Sequence, residues 1–219
     1  EQQRVGIGRA LAKEASLYLF DAPTAHLDAA LRDRLQAEIA EQRRRSGATA
    51  FYATHDTAEA LALADRVVIL RDGRIVQDGS PATVYERPAS VWAAELTGPA
   101  SIISVRIADL HDGRSRLDVA GVSQNVAVAT AGAPAHGEIR AIIRPDWVRL
   151  GGDIPAHVAA VVFRGTHTDS QMGTVAGTVG VRVAGPPITR LGESVGLPRK
   201  RVWIPAELKD DGASEVTNP

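Results

Sequence analysis

The chain has 219 residues, of which 44% are hydrophobic, and its formal net charge is −1. That length allows one or two domains with a sizeable core, and the near-neutral charge argues against nucleic-acid backbone binding as the main task. The lack of cysteine excludes disulfides and thiolate metal sites, and no apolar run approaches the roughly 20 residues of a membrane-spanning helix. We therefore expect a soluble protein with no direct membrane insertion.

The first part of the chain alternates between predicted helices and strands. Leu31, Leu35 and Ile39 give a helix one apolar stripe, Asp28 is placed to cap its start, and Gly47 ends it. The predicted elements, in chain order, are a helix over 4–15, a strand over 17–20, a helix over 28–45, a strand over 48–53, a helix over 57–64 and a strand over 67–70. Asp72-Gly73 predicts a hairpin and Ser80-Pro81 a further helix start. Alternating strands and helices favour a mainly parallel sheet.

The pattern changes after Gly98-Pro99, where short strands follow one another with Gly, Pro and Asp between them. Examples of the predicted strands are 103–107, 138–143, 157–163, 179–183 and 202–204. Repeated short strands with turn signals between them are typical of a small antiparallel barrel. We therefore expect two domains, over residues 1–98 and 99–219.

Two apolar runs in the first domain end in residues that can carry chemistry. Residues 17–20 lead directly into Asp21, and residues 48–53 lead through Thr54 to His55. A buried parallel strand that ends in a carboxylate places that charge at the sheet edge where open α/β folds bind ligands. The alternatives are that Asp21 is a turn or capping residue and that His55 is structural.

The segments Leu17-Tyr-Leu-Phe-Asp-Ala-Pro-Thr-Ala-His-Leu-Asp28 and Ala53-Thr-His-Asp56 resemble the ATP-binding subunit of ABC transporters. Asp21 falls on the Walker B aspartate, residues 25–28 on the D-loop and His55 on the switch histidine. The opening Glu1-Gln-Gln-Arg-Val-Gly-Ile-Gly-Arg-Ala-Leu11 is similar to the end of the signature motif and the helix after it. Ile142-Ile-Arg-Pro-Asp-Trp-Val-Arg-Leu150 is similar to the core of the TOBE domain of importer subunits.

The resemblance implies a fold class and a set of site residues. The fold is α/β, the C-terminal part of a P-loop NTPase domain, followed by a small all-β OB-like barrel. Asp21 would hold Mg²⁺ through water, and His55 would contact the γ-phosphate of ATP. The signature remnant and the D-loop residue would approach a nucleotide bound between two subunits; these residues are Glu1, Gln2, Gln3, Arg4 and Asp28. Glu1 to Arg4 could equally be an ordinary solvated helix start.

The chain departs from the family pattern at two places. The family has Glu directly after the Walker B Asp, in the role of general base, but this chain has Ala22, which cannot accept a proton. The P-loop pattern needs a Gly-Lys pair, and the three lysines Lys13, Lys200 and Lys209 follow Ala12, Arg199 and Leu208. We therefore expect a truncated or degenerate subunit in which catalysis is impaired.

The resemblance implies that the subunit couples ATP binding and hydrolysis to solute import. Its partners would be a second ATPase subunit, as a homodimer, and membrane permease subunits, at the cytoplasmic face of the cell membrane. The alternative is a non-catalytic regulatory or small-ligand-binding module that acts through the barrel. Nucleic-acid binding by the barrel is disfavoured because residues 99–219 offer few aromatic stacking platforms, Trp147, Phe163 and Trp203. The sequence does not select a transported substrate.

Overall fold

A computed structural model describes residues 8–9, 15–25, 27–111, 114–119, 122–127, 137–197 and 202–205. The chain divides into two compact units, residues 1–67 with 79–81 and residues 68–78 with 82–219. The domain boundary expected between residues 98 and 99 stays a prediction. The helix expected over 4–15 lies almost wholly outside the described residues. Within that range Gly8 and Arg9 are described as helical. No helix in the described ranges is long and apolar enough to cross a membrane.

From residue 15 onward, the described part of the first unit contains a two-stranded parallel sheet and two helices. In chain order they are β1 (Leu17–Asp21), α1 (Ala29–Ser46), β2 (Thr49–Ala53) and α2 (Thr57–Leu63). β1 pairs with β2 in parallel, from Leu17 opposite Thr49 to Asp21 opposite Ala53. This confirms the predicted parallel pairing and places each element within one or two residues of its predicted bounds.

One face of this sheet packs on α1. Side chains of β1 alternate between exposed and buried, so Tyr18 and Phe20 point to the same side. They form a core with the α1 stripe and the residue before β2; these core partners are Leu35, Ile39 and Ala48. The opposite face exposes Leu17, Leu19 and Phe51. The hydrophobic stripe of α1 thus determines which side of the sheet is covered.

The ends of α1 are capped as the sequence predicts. The Asp28 carboxylate accepts a hydrogen bond from the Leu31 amide at 2.9 Å. At the other end Gly47 has a φ of 64°, and its amide donates to the carbonyl oxygen of Arg43 at 3.0 Å. That left-handed backbone favours glycine, so the helix stops there.

A hairpin and two short helices come next along the chain. They are β3 (Val67–Arg71), β4 (Arg74–Gly79), α3 (Pro81–Glu86) and α4 (Val91–Thr97). Asp72 and Gly73 have φ values of 50° and 74°, the two positive values of a type I′ turn. The hairpin and the helix start at Ser80-Pro81 are confirmed, whereas α4 was not foreseen.

The described part of the second unit contains two four-stranded antiparallel sheets. Their strands are β5 (Ser101–His111), β6 (Arg114–Val119), β7 (Val122–Ala127), β8 (Gly137–Ile143), β9 (Ile154–Phe163), β10 (His167–Thr174), β11 (Gly177–Ala184) and β12 (Ser194–Leu197). The strand orders are β7-β6-β5-β8 and β11-β10-β9-β12. Apolar residues from both sheets share one core, with Ile103, Val158, Met172 and Val181 almost fully buried. The prediction of successive antiparallel strands is confirmed.

The strand expected over 202–204 is wrong. Within the described segment 202–205, Trp203 makes an isolated bridge with Ile142, in which each amide donates to the other residue's carbonyl, at 2.7 and 2.9 Å. Pro205 follows almost at once and has no amide hydrogen with which to extend the ladder. The segment buries Val202 and Ile204 as a strand would, which explains its strand-like pattern.

Candidate functional site

The carboxyl edge of the β1–β2 sheet brings together the two residues that the sequence singled out. Asp21 lies opposite Ala53 in the parallel register, and the Ala22 amide extends the ladder by donating to the Ala53 carbonyl at 2.9 Å. His55 follows Ala53 by two residues, so it leaves the sheet at the edge where Asp21 ends β1. The side chains of Asp21 and His55 are both exposed. They are therefore open to a ligand at that edge.

Ala22 begins the turn that leads out of β1. Its φ is 41°, in the left-handed region that an alanine side chain disfavours. The turn continues with hydrogen bonds from the Ala25 amide to the Ala22 carbonyl and from the Leu27 amide to the Thr24 carbonyl, at 3.1 and 3.2 Å. Ala22, which the resemblance assigns to the position of a general base, thus has a backbone conformation that is unusual for a residue with a Cβ.

A buried carboxylate lies behind this edge. Glu59, on α2, is 3% exposed and accepts hydrogen bonds from four side chains. Thr24 donates to Oε1 at 2.5 Å, Gln36 donates to Oε1 at 3.1 Å, and Thr54 donates to Oε2 at 2.6 Å. The Tyr52 hydroxyl also donates to Oε1. These donors come from α1, from β2 and from the turns after β1 and β2.

The hydrogen bonds keep Glu59 ionised in spite of its burial. Burial alone raises the pKa of a carboxyl group, but bonds from Thr24, Thr54, Tyr52 and Gln36 together hold the pKa of Glu59 below its usual range. Burial and the Glu59 carboxylate raise the pKa of the Tyr52 hydroxyl well above its ordinary value. Tyr52 is therefore a proton donor in this cluster, and Glu59 is a charged acceptor.

Arg32 of α1 makes a second connection near the same edge. Its guanidinium donates to the Asp56 carboxylate at 3.4 Å and to the Leu27 carbonyl at 3.4 Å. Asp56 also caps α2, since its carboxylate accepts a hydrogen bond from the Glu59 amide at 3.2 Å. The side chains of Arg32 and Asp56 are each 37% exposed, so solvent screens this ion pair.

The other predicted site residues lie partly outside the described part of the chain. Glu1, Gln2, Gln3 and Arg4 are among the residues not described, and so is His26 within the D-loop segment 25–28. Asp28 is described, is exposed and serves as the cap of α1. The structure therefore brings together Asp21, Ala22 and His55, with Asp28 at the end of the same turn.

Sequence reasoning missed the buried cluster of Glu59, Tyr52 and Gln36. Glu59 is the acid within Thr57-Ala-Glu-Ala-Leu-Ala-Leu63, and the structure shows that it faces inward with 3% exposure. An acid on the inward side of a short helix needs donors from neighbouring elements. The sequence does not show which neighbours supply them.

Comparisons with known proteins agree with the family that the sequence resembles. No protein-family model matches the chain. The Fe(3+) ions import ATP-binding protein FbpC of Brucella melitensis biotype 1 is 37% identical over 178 residues, which cover 80% of this chain and 50% of that protein. FbpC 1 of Rhizobium meliloti is 34% identical over 183 residues, 82% of this chain and 51% of that protein. The spermidine/putrescine import ATP-binding protein PotA of Rubrobacter xylanophilus is 37% identical over 174 residues, which cover 77% of this chain and 46% of that protein.

The chain belongs to the family of ATP-binding subunits of ABC importers. It spans about half the length of the curated relatives it matches. Among solved structures, the cytoplasmic molybdate-binding protein ModG matches 49% of this chain and 92% of its own, with a TM-score of 0.35 at 13% identity. A likeness of that size supports no argument about fold or ligand.

Proposed function

We propose that the chain forms part of a subunit that couples ATP binding and hydrolysis to solute import through a membrane permease. The observation that carries this proposal is the shared edge of β1 and β2, from which Asp21 and His55 both emerge. A carboxylate and an imidazole at the carboxyl edge of a parallel sheet suit a nucleotide phosphate and its metal ion. Membership of the importer family supports the same proposal.

Asp21 fits a magnesium ion that comes with its nucleotide. Mg²⁺ keeps several waters and uses one or two carboxylates together with substrate phosphates. Asp21 offers one exposed carboxylate, and within the described ranges no three His, Cys, Asp or Glu side chains cluster as a metal site. Bound beside Asp21, the ion would neutralise phosphate charge. The protein's part there is to hold that ion's water shell from one side.

His55 and Ala22 would then determine how well the site works. The exposed imidazole of His55 can hydrogen-bond a terminal phosphate oxygen, whereas the methyl group of Ala22 can neither orient a water nor take its proton. A general base typically contributes about 10²–10⁴-fold to the rate. We therefore propose slow hydrolysis at this site.

The remaining parts of the proposed assembly come from other segments and chains. These 219 residues contain no Gly-Lys pair, so a P-loop would have to be supplied from outside them. We further propose that Asp28 and the segment from Glu1 to Arg4 face the nucleotide of a second ATPase subunit in a homodimer. The two antiparallel sheets of the second unit would form the TOBE-like barrel, and the assembly would lie on the cytoplasmic face of the membrane.

The transported solute is not selected by these comparisons. Relatives named for ferric iron and for polyamines are each 37% identical to this chain. Equal identity to subunits with different solutes agrees with selectivity that resides in the permease and its binding protein rather than in this subunit.

ATP hydrolysis by a fusion protein tests the proposal. The 219 residues, joined behind a P-loop segment from one of the relatives, should bind ATP and hydrolyse it slowly. Ala22→Glu should then raise the rate by on the order of a hundredfold or more, because it restores a general base. His55→Ala should lower it, whereas His157→Ala, the same change at an exposed histidine of β9, should not.

The same experiment shows which result would count against the proposal. A fusion protein that folds but binds no ATP, or an unchanged rate after Ala22→Glu, would contradict it. The 219 residues alone should not bind ATP at micromolar concentration, because the phosphate-binding donors of a P-loop are absent from them. Binding of a small ligand by residues 99–219 alone would favour the regulatory alternative.

A further inference from the structure

One carboxylate joins the two turns that form the candidate site. The first turn, described at residues 22–25 and 27–28, follows β1, and the second turn, residues 54–56, follows β2. Thr24 of the first turn donates to Glu59 Oε1 at 2.5 Å, and Thr54 of the second turn donates to Glu59 Oε2 at 2.6 Å. Each oxygen of Glu59 therefore holds a different turn.

The chemistry of this contact makes it sensitive to the loss of one partner. Glu59 is 3% exposed, so water does not readily replace a missing donor. Its four side-chain donors are two threonine hydroxyls, a tyrosine hydroxyl and a glutamine amide, and bonds to an ionised acceptor are stronger than neutral ones. A buried acceptor that loses a donor costs more than the average hydrogen bond gains.

The backbone around His55 depends on the same carboxylate. The Thr54 hydroxyl donates to Glu59 and also accepts a hydrogen bond from the Asp56 amide at 3.0 Å. Asp56 in turn accepts from the Glu59 amide at 3.2 Å. Both residues that flank His55 therefore bond to Glu59. Thr54 bonds to the Glu59 side chain, and Asp56 bonds to the Glu59 backbone amide.

We propose that Glu59 is a positioning residue that couples the turn after β1 to the turn after β2. A shift of Thr24 changes the hydrogen bonds available to Thr54 through the shared carboxylate, and the reverse holds equally. The consequence of this coupling for catalysis rests on the proposed function. There the coupling would fix the position of Asp21 relative to His55. The coupling itself is a property of the fold and needs no nucleotide.

Arg32 provides a second connection between the same turns, through Leu27 and Asp56. Both of its contacts are long, at 3.4 Å, and its side chain is 37% exposed. Exposed ion pairs contribute little, because solvent screens them. Arg32→Gln is therefore a variant in which the coupling should survive.

Hydrogen exchange of the 219-residue chain tests the coupling, and the informative signals are those in the turn that was not mutated. Thr24→Val should speed exchange of the Asp56, Glu59 and Ala60 amides. Thr54→Val should speed exchange of the Ala25 and Leu27 amides. We expect effects of about two- to tenfold, the range for loss of one hydrogen bond. Glu59→Gln should speed exchange in both turns, and in that background neither threonine change should act on the other turn.

Conservative variants separate coupling from general loosening. Thr24→Ser and Thr54→Ser keep the hydroxyl donor and should leave the opposite turn unchanged. Thr49→Val makes the same threonine change at an exposed position of β2 and should affect neither turn. If each threonine change affects only its own turn, the proposal is wrong. If Glu59→Gln does not fold, the Thr24→Val and Thr54→Val variants still test the coupling. These exchange measurements use no ATP, so their outcome does not depend on whether the chain binds it.

Discussion

The guanidinium of Arg144 lies 4.3 Å from the ring centroid of Tyr85 and donates two hydrogen bonds to the carbonyl oxygen of the same residue, at 3.1 and 3.3 Å. Tyr85 is in α3, and Arg144 directly follows β8. Arg144 is fully buried. Its charge is therefore shared between an aromatic face and backbone carbonyl groups inside the second unit.

Arg144 also holds the C-terminal end of α4. It donates to the carbonyl oxygens of Ala94, Gly98 and Pro99 at 2.7, 2.8 and 3.2 Å, and to the Thr97 hydroxyl at 2.7 Å. The last carbonyls of a helix have no partner within the helix, and a positive charge there suits its dipole. Arg144 thus satisfies acceptors from both short helices with one side chain.

Replacing Arg144 should destabilise the second unit strongly. Arg144→Ala removes buried or part-buried hydrogen bonds from four carbonyl oxygens and opens a cavity, so we expect a loss of about 3–5 kcal/mol in the free energy of unfolding. Urea unfolding followed by tryptophan fluorescence measures it, because Trp92, Trp147 and Trp203 all belong to the second unit. Arg149→Ala, at an exposed site nearby, should change stability by no more than about 0.5 kcal/mol. Similar losses in both variants would contradict this role.

Glu59 should make the stability of the first unit depend on pH. Hydrogen bonds outweigh the effect of burial and lower the pKa of Glu59 in the folded chain. Its contribution to stability is therefore present above the pKa of an unfolded-chain glutamate, which is about 4.3. It is lost as the pH falls through the lower folded pKa. Glu59→Gln should therefore destabilise the chain most at neutral pH and progressively less as the solution becomes acid.

Urea unfolding followed by far-ultraviolet circular dichroism, from pH 7 down to about pH 3, measures this difference between wild type and variant. Glu38→Gln is the same change at an exposed position of α1 and should leave the stability almost unchanged at every pH. A destabilisation by Glu59→Gln that grows on acidification would show that the carboxylate is not the stabilising species.

The first unit follows its sequence closely because its signals are local. The apolar stripe of Leu35 and Ile39, the cap at Asp28 and the glycine at 47 each specify one feature of α1, and the structure has all three. The single bridge at Trp203 was predicted as a strand because burial of alternate residues does not reveal whether a ladder continues. Pairing over long sequence separations depends on the partner, which a single segment does not encode.

The candidate site shows the same division between local and distant information. Asp21 and His55 each end an apolar run, so their meeting at one sheet edge could be predicted, and the parallel register agrees with it. The role of Glu59 could not, because its donors Thr24 and Gln36 lie 35 and 23 residues away along the chain. The roles of Asp21, Asp28 and His55 toward nucleotide stay predictions.

Ala22 should be a strained position whatever its chemistry. Its φ of 41° disfavours any residue with a Cβ, and a left-handed conformation costs a non-glycine residue roughly 1–2 kcal/mol. Ala22→Gly should relieve that strain, but glycine also gives the unfolded chain more conformational entropy. We expect the free energy of unfolding to rise by up to about 1 kcal/mol. Ala25→Gly, in the same turn but without a positive φ, should destabilise instead. Urea unfolding of the two variants checks the opposite signs, and equal effects would exclude strain at Ala22.

Two glycines of the antiparallel sheets should respond very differently to the same substitution. A Cβ at Gly196 in β12 would lie 2.0 Å from the backbone oxygen of Gly152, whereas one at Gly173 in β10 would lie 2.2 Å from the ring of His157. The Gly196 carbonyl accepts a hydrogen bond from the Gly151 amide at 2.8 Å, so the two chain segments are held together there. The exposed His157 ring can rotate away, but a bonded backbone cannot yield as easily.

Gly196→Ala should therefore lower the free energy of unfolding by about 2–3 kcal/mol or more. Gly173→Ala should lower it by less than about 1 kcal/mol. Urea unfolding followed by tryptophan fluorescence measures both, since both glycines belong to the second unit. In a His157→Ala background the ring is gone. Gly173→Ala should then change stability only by the small difference in strand propensity between Gly and Ala. A Gly173→Ala variant as unstable as Gly196→Ala would mean that the His157 ring is held as firmly as the Gly152 backbone.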